Sequence, residues 1–313
     1  MRIFITGSNG LLGQKLLHTI STETHDLSGC DLAAESLVKD VEHRYHRLDL
    51  TDRKSTRKVL QTIEPQIIVH TAAMTGVDKC ELEKEKCWQV NVYGTDNIIS
   101  SAEKIGAKVI FISSDYVFDG EHGPYQEEDK PNPVNYYGRS KLAAENLLRG
   151  SGIEWVIVRT IVLYGTGVNL RANFVTWLLD RLRACRPVHI VTDQWGNTTL
   201  VDDLAGAIER IILLERSGIY HIGGREFVTR YEFAVRIARF FNLEADLIHP
   251  VTTEELSQPA KRPLRSGLET EKAERDLFMS FHDIAQSLAI FRDQESASAV
   301  RKDDLRQREK GRG

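Results

Sequence analysis

The amino-terminal segment limits the fold more than any other feature of the sequence. Residues 3–5 (Ile-Phe-Ile) form a short apolar run with high β propensity, and Gly7, Gly10 and Gly13 follow it. After the glycines, leucines and an isoleucine recur at the spacing of one helix face. A strand, a glycine-rich turn and a helix are therefore predicted, in the order that opens many parallel α/β sheets.

Glycines in such a turn let the backbone fold tightly, approach a pyrophosphate and pack the helix against the strand. Their spacing is G-x-x-G-x-x-G rather than the commoner G-x-G-x-x-G, so a plain strand–turn–helix remains the alternative. The second predicted strand, residues 25–30, is followed by Asp31, about where a ribose-binding carboxylate is expected. Because that carboxylate would repel a 2′-phosphate, NAD(H) is favoured and NADP(H) is the second candidate.

Composition excludes several classes of protein. The 313 residues are 41% apolar and 27% charged, which is typical of a globular protein with a sizeable core. A net charge of −4 gives no electrostatic reason to expect binding to nucleic acid or to an anionic membrane. No apolar run approaches the roughly 20 residues of a membrane span, and no signal peptide is recognised. The four cysteines lack C-x-x-C spacing, so a reducing, cytoplasmic setting is predicted.

Strands and helices alternate along the first half of the chain, which predicts a Rossmann-type, doubly wound parallel α/β sheet. A helix over residues 52–63 is predicted to begin at a Thr51 cap, a long helix covers residues 87–105, and another helix begins near Tyr137. The strands after the first are expected at residues 25–30, 45–48, 67–71, 109–113 and 155–158.

The division into domains follows the order of the predicted strands and helices. Residues 1–163 and 198–217 are predicted to form the dinucleotide-binding domain, and residues 164–197 and 218–291 a smaller, discontinuous α/β substrate-binding lobe. Residues 292–313 are rich in charge and lack aromatic side chains, which predicts a polar, disordered tail or a frayed helix.

Tyr137 and Lys141 lie four residues apart at the start of a predicted helix, so both side chains share one face. A neighbouring ammonium and the helix amino terminus would lower the pKa of a phenol, which makes the pair a candidate acid–base device. Residues 72–75 and 113–115 follow two other predicted strands. Ligands of doubly wound sheets bind beyond the carboxyl ends of strands, where all these residues are expected.

Together these motifs resemble the extended short-chain dehydrogenase/reductase superfamily and, within it, the dTDP-4-dehydrorhamnose reductase branch. The likeness covers about residues 1–290. The segments that carry it are residues 7–13, 72–79 (Ala-Ala-Met-Thr-Gly-Val-Asp-Lys), 113–120 (Ser-Ser-Asp-Tyr-Val-Phe-Asp-Gly), 137–141, 193–196, 220–224 and 262–266.

The resemblance implies reduction of a nucleotide-linked 4-keto-6-deoxyhexose, as in dTDP-rhamnose biosynthesis. Tyr137 would give a proton to the carbonyl oxygen as hydride arrives from the nicotinamide, and Lys141 would lower the pKa of Tyr137 and bind the nicotinamide ribose. Ser114 would hydrogen-bond the carbonyl, and Asp115 would contact the substrate. The implied cofactor contacts are Gly7, Gly10, Leu11, Leu12, Gly13, Asp31, Asp49, Leu50, Ala73, Met74, Thr75, Tyr137 and Lys141.

Two positions depart from the family pattern. Lys15 stands where some members have a glutamate for a magnesium ion that bridges a dimer, so no metal is predicted, although a homodimer is left open. Val162 replaces a tryptophan that packs on the sugar in the family. Two other functions share these motifs and stay open: a nucleotide-sugar epimerase or dehydratase, and a non-catalytic regulatory subunit of the methionine adenosyltransferase type.

Overall fold

The computed structural model describes residues 1–310, with side chains to residue 297. Its thirteen strands within that range are β1 (Arg2–Thr6), β2 (Asp26–Asp31), β3 (Arg44–Arg47), β4 (Ile67–His70), β5 (Lys108–Ser114), β6 (Trp155–Thr160), β7 (Leu163–Tyr164), β8 (Val188–Val191), β9 (Trp195–Gly196), β10 (Thr199–Leu200), β11 (Gly218–Ile222), β12 (Val228–Thr229) and β13 (Ile248–Val251).

Twelve α-helices accompany these strands in the described chain, together with a π-helical turn at Gln89–Tyr93 and two short 3₁₀ turns at Asp115–Val117 and Ala245–Leu247. The helices are α1 (Leu11–Thr19), α2 (Arg53–Ile63), α3 (Val77–Leu82), α4 (Lys84–Trp88), α5 (Gly94–Ile105), α6 (Tyr136–Arg149), α7 (Phe174–Arg183), α8 (Val201–Leu213), α9 (Arg230–Phe240), α10 (Thr253–Leu256), α11 (Glu271–Leu277) and α12 (Ile284–Lys310).

Seven parallel strands form the central sheet in the order β11-β6-β5-β4-β1-β2-β3. Strands β1, β4 and β5 are almost wholly buried because helices cover both faces. Helices α1, α8 and α11 pack on one face around Leu16 and Ile208, and helices α2, α5 and α6 pack on the other around Phe111 and Ile98. The predicted doubly wound α/β fold is confirmed, and its carboxyl edge carries the loops that follow β1, β2, β4 and β5.

A smaller lobe lies over that edge. Helices α7 and α9 pack against the parallel pair β8–β13, with Phe233 and Leu178 in their shared core. The lobe is tied to the sheet through short pairings, such as β10 with β7 at Leu163–Tyr164. Its segments are therefore separated along the chain but close in space.

Strand β11 corrects one predicted boundary. Residues 218–222 were assigned to the lobe, but they pair with β6 and complete the central sheet. Helix α8 precedes them and packs on α1, which carries the chain back across the sheet to the open side of β6. The pairing partner lies about 60 residues upstream in sequence, so local pattern alone does not reveal it.

Two helical predictions also differ from the structure. The helix predicted over residues 87–105 contains a π-helical turn at Gln89–Tyr93 between α4 and α5. The cap of α2 is Asp52 rather than Thr51, since the Asp52 carboxylate accepts hydrogen bonds from the backbone of Lys54 and Ser55. The prediction is displaced by one residue because threonine and aspartate are both good caps.

The first residues of the polar segment after Phe291 are helical and continue α12. Arg183 makes a double hydrogen bond with Glu295 at 2.7 and 2.8 Å, and the Gln294 amide donates to Asp202 at 2.8 Å. These contacts hold the first turn beyond the apolar part of the helix. Residues 311–313 of the predicted tail lie outside the described residues. Within the described chain, no helix is long and apolar enough to cross a membrane.

Candidate active site

A cleft of about 1140 Å³ runs along the carboxyl edge of the sheet and under the lobe. It brings together most of the residues that sequence reasoning selected. Those that line it are Gly7, Gly10, Leu11, Leu12, Asp31, Asp49, Leu50, Ala73, Thr75, Ser114, Asp115, Tyr137 and Lys141. Gly13 and Met74 were also selected but do not line the cleft. Gly13 packs behind the glycine turn, and Met74 packs beside Tyr137.

The glycine turn is built by close backbone packing. Gly7 has φ +65°, a left-handed conformation that glycine adopts without strain. A Cβ atom on Gly13 would lie 2.2 Å from the carbonyl oxygen of Gly7, so this position supports the turn from behind. Helix α1 begins at Leu11, and no side chain caps it. Its first backbone N–H groups therefore remain available for a pyrophosphate, which fits a dinucleotide.

Asp31 ends β2 beside this turn. Its carboxylate accepts hydrogen bonds from the backbone of Leu32 at 2.7 Å and of Asn9 at 3.3 Å, which fixes its position at the cleft wall. Asp49, at the next strand end, accepts from the backbone and hydroxyl of Thr51 at 2.9 and 2.7 Å. The Asp31 carboxylate is thus held at the cleft wall beside the glycine turn, whereas the Asp49 carboxylate also shapes its own turn.

Tyr137 lies in the first turn of α6, which Asn135 caps by accepting a hydrogen bond from the backbone of Gly138 at 2.9 Å. Sequence reasoning predicted that the pKa of Tyr137 would be lowered, and this is wrong for the structure. Burial raises its pKa above the usual range, and the negative charge of Asp115 adds to the effect, while a hydrogen bond from Ser114 opposes it. The desolvation of the phenolate outweighs its neighbours.

Lys141 is 2% exposed, one helical turn after Tyr137. Its Nζ atom lies 4.1 Å from the centre of the Phe111 ring. Burial lowers the pKa of Lys141 to about 7, with the carboxylate of Glu145 acting in the opposite direction. An ammonium at this position is costly because few polar atoms replace its water, so the lysine exchanges its proton near neutral pH.

Ser114 and Asp115 follow β5 directly. The Ser114 hydroxyl donates to the Asp115 carboxylate at 2.9 Å and accepts from the backbone N–H of Tyr116 at 3.2 Å. The Ser266 hydroxyl donates to the other carboxylate oxygen at 2.6 Å. Asp115, which was predicted to contact substrate, lines the cleft but is only 2% exposed, and both of its carboxylate oxygens accept hydrogen bonds.

A buried ion pair behind the site was not predicted. Arg159 on β6 donates to both carboxylate oxygens of Glu145 on α6 at 2.9 and 2.8 Å, and the Ser113 hydroxyl donates to the same carboxylate at 2.6 Å. All three side chains are buried. The network joins α6 to the strand that ends at Ser114, so it fixes the helix that carries Tyr137 and Lys141. The three residues are distant in sequence, which leaves no local signal.

Asn91, in the π-helical turn, was also missed. Its amide accepts from the backbone N–H of Met74 at 2.7 Å and donates to the carbonyl of Met74 at 3.1 Å and to the Ser140 hydroxyl at 2.9 Å. Met74 itself packs beside Tyr137. Asn91 therefore links the loop after β4 to α6. A polar residue in a buried helix interior was the available signal, and π-helical turns often occur at functional sites.

The lobe supplies side chains that sequence reasoning did not select. Arg230 lines the cleft 5.2 Å from the centre of the Phe174 ring, and Arg262 lines it while pairing with Asp78 at 2.8 Å. Trp177 contributes a second aromatic group to the same wall. Val162, which replaces the family tryptophan, also lines the cleft and has φ +43°, a strained conformation for a β-branched residue.

Lys15 differs from the family glutamate and has a partner of its own. Its Nζ atom lies 2.8 Å from Asp202, on α8. Within the described residues, no group of three or more histidine, cysteine, aspartate or glutamate side chains is arranged to hold a metal ion.

The geometry agrees with a comparison against known families. Residues 1–296 match the model of the RmlD substrate binding domain. The chain belongs to this family. The RmlD match covers both the central sheet and the lobe.

Solved structures support the RmlD assignment. A dTDP-4-dehydrorhamnose reductase from Bacillus anthracis, in complex with NADP, is 32% identical and superposes with a TM-score of 0.85 over 94% of this chain and 99% of that one. An orthologue from Clostridium acetobutylicum is 31% identical with the same TM-score, over 95% of this chain and 100% of that one. A UDP-glucose 4-epimerase from Thermus thermophilus is 22% identical with a TM-score of 0.79, over 93% and 99% of the two chains, and shows the shared fold alone.

Characterised relatives have diverse names. Methionine adenosyltransferase 2 subunit beta from Bos taurus is 32% identical over 280 residues, which is 87% of this chain and 81% of the relative. The spore coat polysaccharide biosynthesis protein SpsK from Bacillus subtilis (strain 168) is 32% identical over 268 residues, covering 85% of this chain and 88% of the relative. Similarity in sequence alone therefore spans more than one function.

Proposed function

We propose that this protein is an NAD(P)H-dependent reductase of a nucleotide-linked 4-keto-6-deoxyhexose. The observation that carries the proposal is the joint presence of Ser114, Tyr137 and Lys141 on the wall of one cleft with an uncapped helix start after a glycine turn. The proposal is also supported by similarity to dTDP-4-dehydrorhamnose reductases, which the chain matches at 31–32% identity with TM-scores of 0.85.

A bound nicotinamide supplies the hydride for the ketone carbon. Negative charge then develops on the ketone oxygen, and Tyr137 gives that oxygen its proton. The high pKa of Tyr137 keeps the phenol protonated before the reaction, so it acts as an acid in the direction of reduction. Ser114 adds a second polar contact for the developing charge. Lys141, with a pKa of about 7, is suited to hold the nicotinamide ribose and to exchange protons with it.

The lobe wall suits a nucleotide diphosphate. Arg230 is positively charged, lines the cleft and forms no ion pair within the described residues. Burial lowers the pKa of Arg230, which an anionic partner would offset. Trp177 and Phe174 offer flat apolar surfaces for a base or sugar, in the absence of a tryptophan at Val162. We assign the diphosphate to Arg230 and the sugar to the space between it and Tyr137.

Asp31 favours NAD(H) in this proposal, because its carboxylate and a 2′-phosphate would repel each other. A solved relative binds NADP, so NADP(H) is kept as the second cofactor. We further expect the protein to act in dTDP-rhamnose biosynthesis, to be located in the cytoplasm and to form a homodimer.

The test is consumption of NADH and NADPH by the purified protein, followed optically, against a panel of nucleotide 4-keto-6-deoxysugars. At least one ketosugar should be reduced. Tyr137→Phe should lower kcat by about 10³-fold, since proton donation contributes roughly 10²–10⁴-fold, while NADH affinity stays within about threefold. Wild-type turnover in this variant would refute the role of Tyr137.

Inactivity with every ketosugar would instead favour the regulatory-subunit function, in view of the similarity to methionine adenosyltransferase 2 subunit beta. The panel should therefore be paired with a binding measurement against a methionine adenosyltransferase. An epimerase or dehydratase would interconvert sugars without net consumption of NADH, which product analysis distinguishes.

A further inference from the structure

The side chain of Asn9, inside the glycine turn of residues 7–13, has no assigned part in the proposed reaction. It is 8% exposed. Its amide nitrogen donates to the backbone carbonyl of Glu35 at 2.9 Å and to the Tyr45 hydroxyl at 3.3 Å. Its amide oxygen accepts from the backbone N–H of Leu37 at 2.8 Å. Both polar atoms of this side chain therefore bind the segment that follows β2 or the strand beside it.

That segment, residues 32–37, has no regular secondary structure, so contacts with its neighbours determine its shape. The Tyr45 hydroxyl donates to the backbone carbonyl of Ala33 at 2.8 Å, and the Asn9 amide binds two further backbone groups of the segment. The segment begins after Asp31, whose carboxylate accepts from the backbone N–H of Asn9 at 3.3 Å. Asn9 therefore joins both ends of the segment to the glycine turn.

The segment forms the wall of the cleft next to Asp31. Leu32 and Leu37 line this wall, and Leu32 is 65% exposed, which leaves apolar surface that a flat base can cover. Among the described residues that line the cleft, none before Lys141 is a lysine, arginine or histidine, whereas Asp31 and Asp49 are carboxylates. This end of the cleft therefore suits an adenosine that carries no 2′-phosphate.

We infer that Asn9 is the positioning residue for the adenosine half of the cofactor, because it holds residues 32–37 so that Asp31 and Leu32 face the cleft. This inference rests on the proposed use of NAD(H) by a reductase. Asn9 acts through the segment, since both of its amide atoms are bonded to protein groups. Without that amide, the partners in the segment lose their hydrogen bonds, and the segment shifts to find others.

The experiment is titration of the purified full-length protein with NADH, NADPH and reduced nicotinamide mononucleotide, which lacks the adenosine half. In Asn9→Ala the dissociation constant of NADH should rise at least about tenfold, because three hydrogen bonds that shape the adenosine wall are lost. That of NADPH should rise less than about threefold, because a displaced Asp31 repels the 2′-phosphate less. That of the mononucleotide should stay within about twofold, because its phosphate can still use the start of α1.

Two further variants accompany Asn9→Ala. Tyr45→Phe removes one hydroxyl that holds the same segment, so it should reduce the preference for NADH in the same direction by a smaller factor. It also keeps the inference testable if Asn9→Ala does not fold. Asn146→Ala is the matched control, since it removes an exposed amide from α6 and should leave all three dissociation constants unchanged. Urea unfolding of each variant checks that the fold is retained.

A double variant tests whether Asn9 acts through the segment that begins at Asp31. If it does, Asn9→Ala combined with Asp31→Ala should have the NADH to NADPH affinity ratio of Asp31→Ala alone, because the two effects are then not additive. Independent, additive effects on that ratio would overturn the inference.

Two other results also bear on the role of Asn9. Equal weakening of all three ligands in Asn9→Ala would indicate a general structural role in the glycine turn, and unchanged NADH affinity would indicate no role. Either result overturns the inference and leaves the reductase function intact. Failure of the wild-type protein to bind NADH and NADPH would instead overturn the proposed function on which the inference rests.

Discussion

The two walls of the cleft are built by different means. The wall at the glycine turn is made mainly of backbone groups from one segment, residues 7–13, and its shape depends on missing side chains. The opposite wall is made of side chains from separate segments, among them Trp177, Arg230 and Arg262. A backbone wall suits the invariant pyrophosphate of a dinucleotide, whereas a side-chain wall can change between relatives that take different sugars.

The same contrast appears in the electrostatics. The uncapped start of α1 offers partial positive charge from the peptide groups, which needs no ionisable residue. Near Tyr137, burial raises the pKa of the phenol and of Asp115 and lowers that of Lys141. The contribution of the glycine turn to cofactor binding should therefore depend weakly on pH over the range in which turnover changes strongly.

The largest effect on cofactor binding is expected from a substitution that adds a side chain to the glycine turn. In Gly13→Ala the new Cβ would meet the Gly7 carbonyl oxygen at 2.2 Å and the Ser8 Cα atom at 2.6 Å, so the turn must shift. The dissociation constant for NADH should rise at least tenfold, and the free energy of unfolding should fall by about 1–3 kcal/mol. Calorimetric titration and urea unfolding measure the two effects.

Gly206→Ala is the matched control, because Gly206 lies inside α8 with no atom within 4 Å of the added Cβ. That variant should bind NADH normally and be more stable by about 0.5–1 kcal/mol. Equal NADH affinity in Gly13→Ala and the control would remove the argument that close packing shapes this wall.

An intermediate effect is expected on the lobe wall. Arg230→Met should raise KM for the nucleotide sugar by about tenfold to a hundredfold, since hydrogen bonds to a charged group contribute roughly 1.5–3 kcal/mol. NADH affinity should not change, because the glycine turn is intact. Arg225→Met removes an equal charge from an exposed position and should leave both constants unchanged. A matching rise in KM for Arg225→Met would point to long-range charge rather than contact at Arg230.

The smallest effect is expected at the ribose position. Asp31→Ala should lower kcat/KM with NADH by a few fold and raise it with NADPH, because repulsion of a 2′-phosphate is removed. Asp26→Ala, at the other end of β2 and paired with Arg44, should keep the wild-type ratio. An unchanged NADH to NADPH ratio in Asp31→Ala would show that this carboxylate does not select the cofactor.

Prediction from sequence was most successful where a signal is local. The glycine turn, Asp31 and the pair Tyr137/Lys141 could be selected because each lies within one segment and has a characteristic spacing, and the structure brings them to one cleft. The strand predicted at residues 67–71 matches Ile67–His70 in the structure to within one residue. Arg230, Asn91 and the Glu145–Arg159 pair were missed, since their importance depends on partners far away in the chain.

The sign of a pKa shift illustrates the same limit. Sequence spacing indicated that Lys141 would lower the pKa of Tyr137, and it contained no measure of burial. In the folded protein both groups are almost completely enclosed, and the loss of water dominates over the neighbouring charge. Burial is a property of the whole packing arrangement, so it cannot be inferred from two residues.

The sequence by itself determined the parallel α/β sheet, the position of the glycine turn and the identity of the phenol, ammonium and hydroxyl groups, because periodicity and local spacing encode them. Only the tertiary structure decided that residues 218–222 complete the sheet, that Asp115 is bonded from both sides, and that Arg230 faces the same cleft. Those facts arise from contacts between distant segments, whose geometry is fixed by packing of the core and not by the order of residues along the chain.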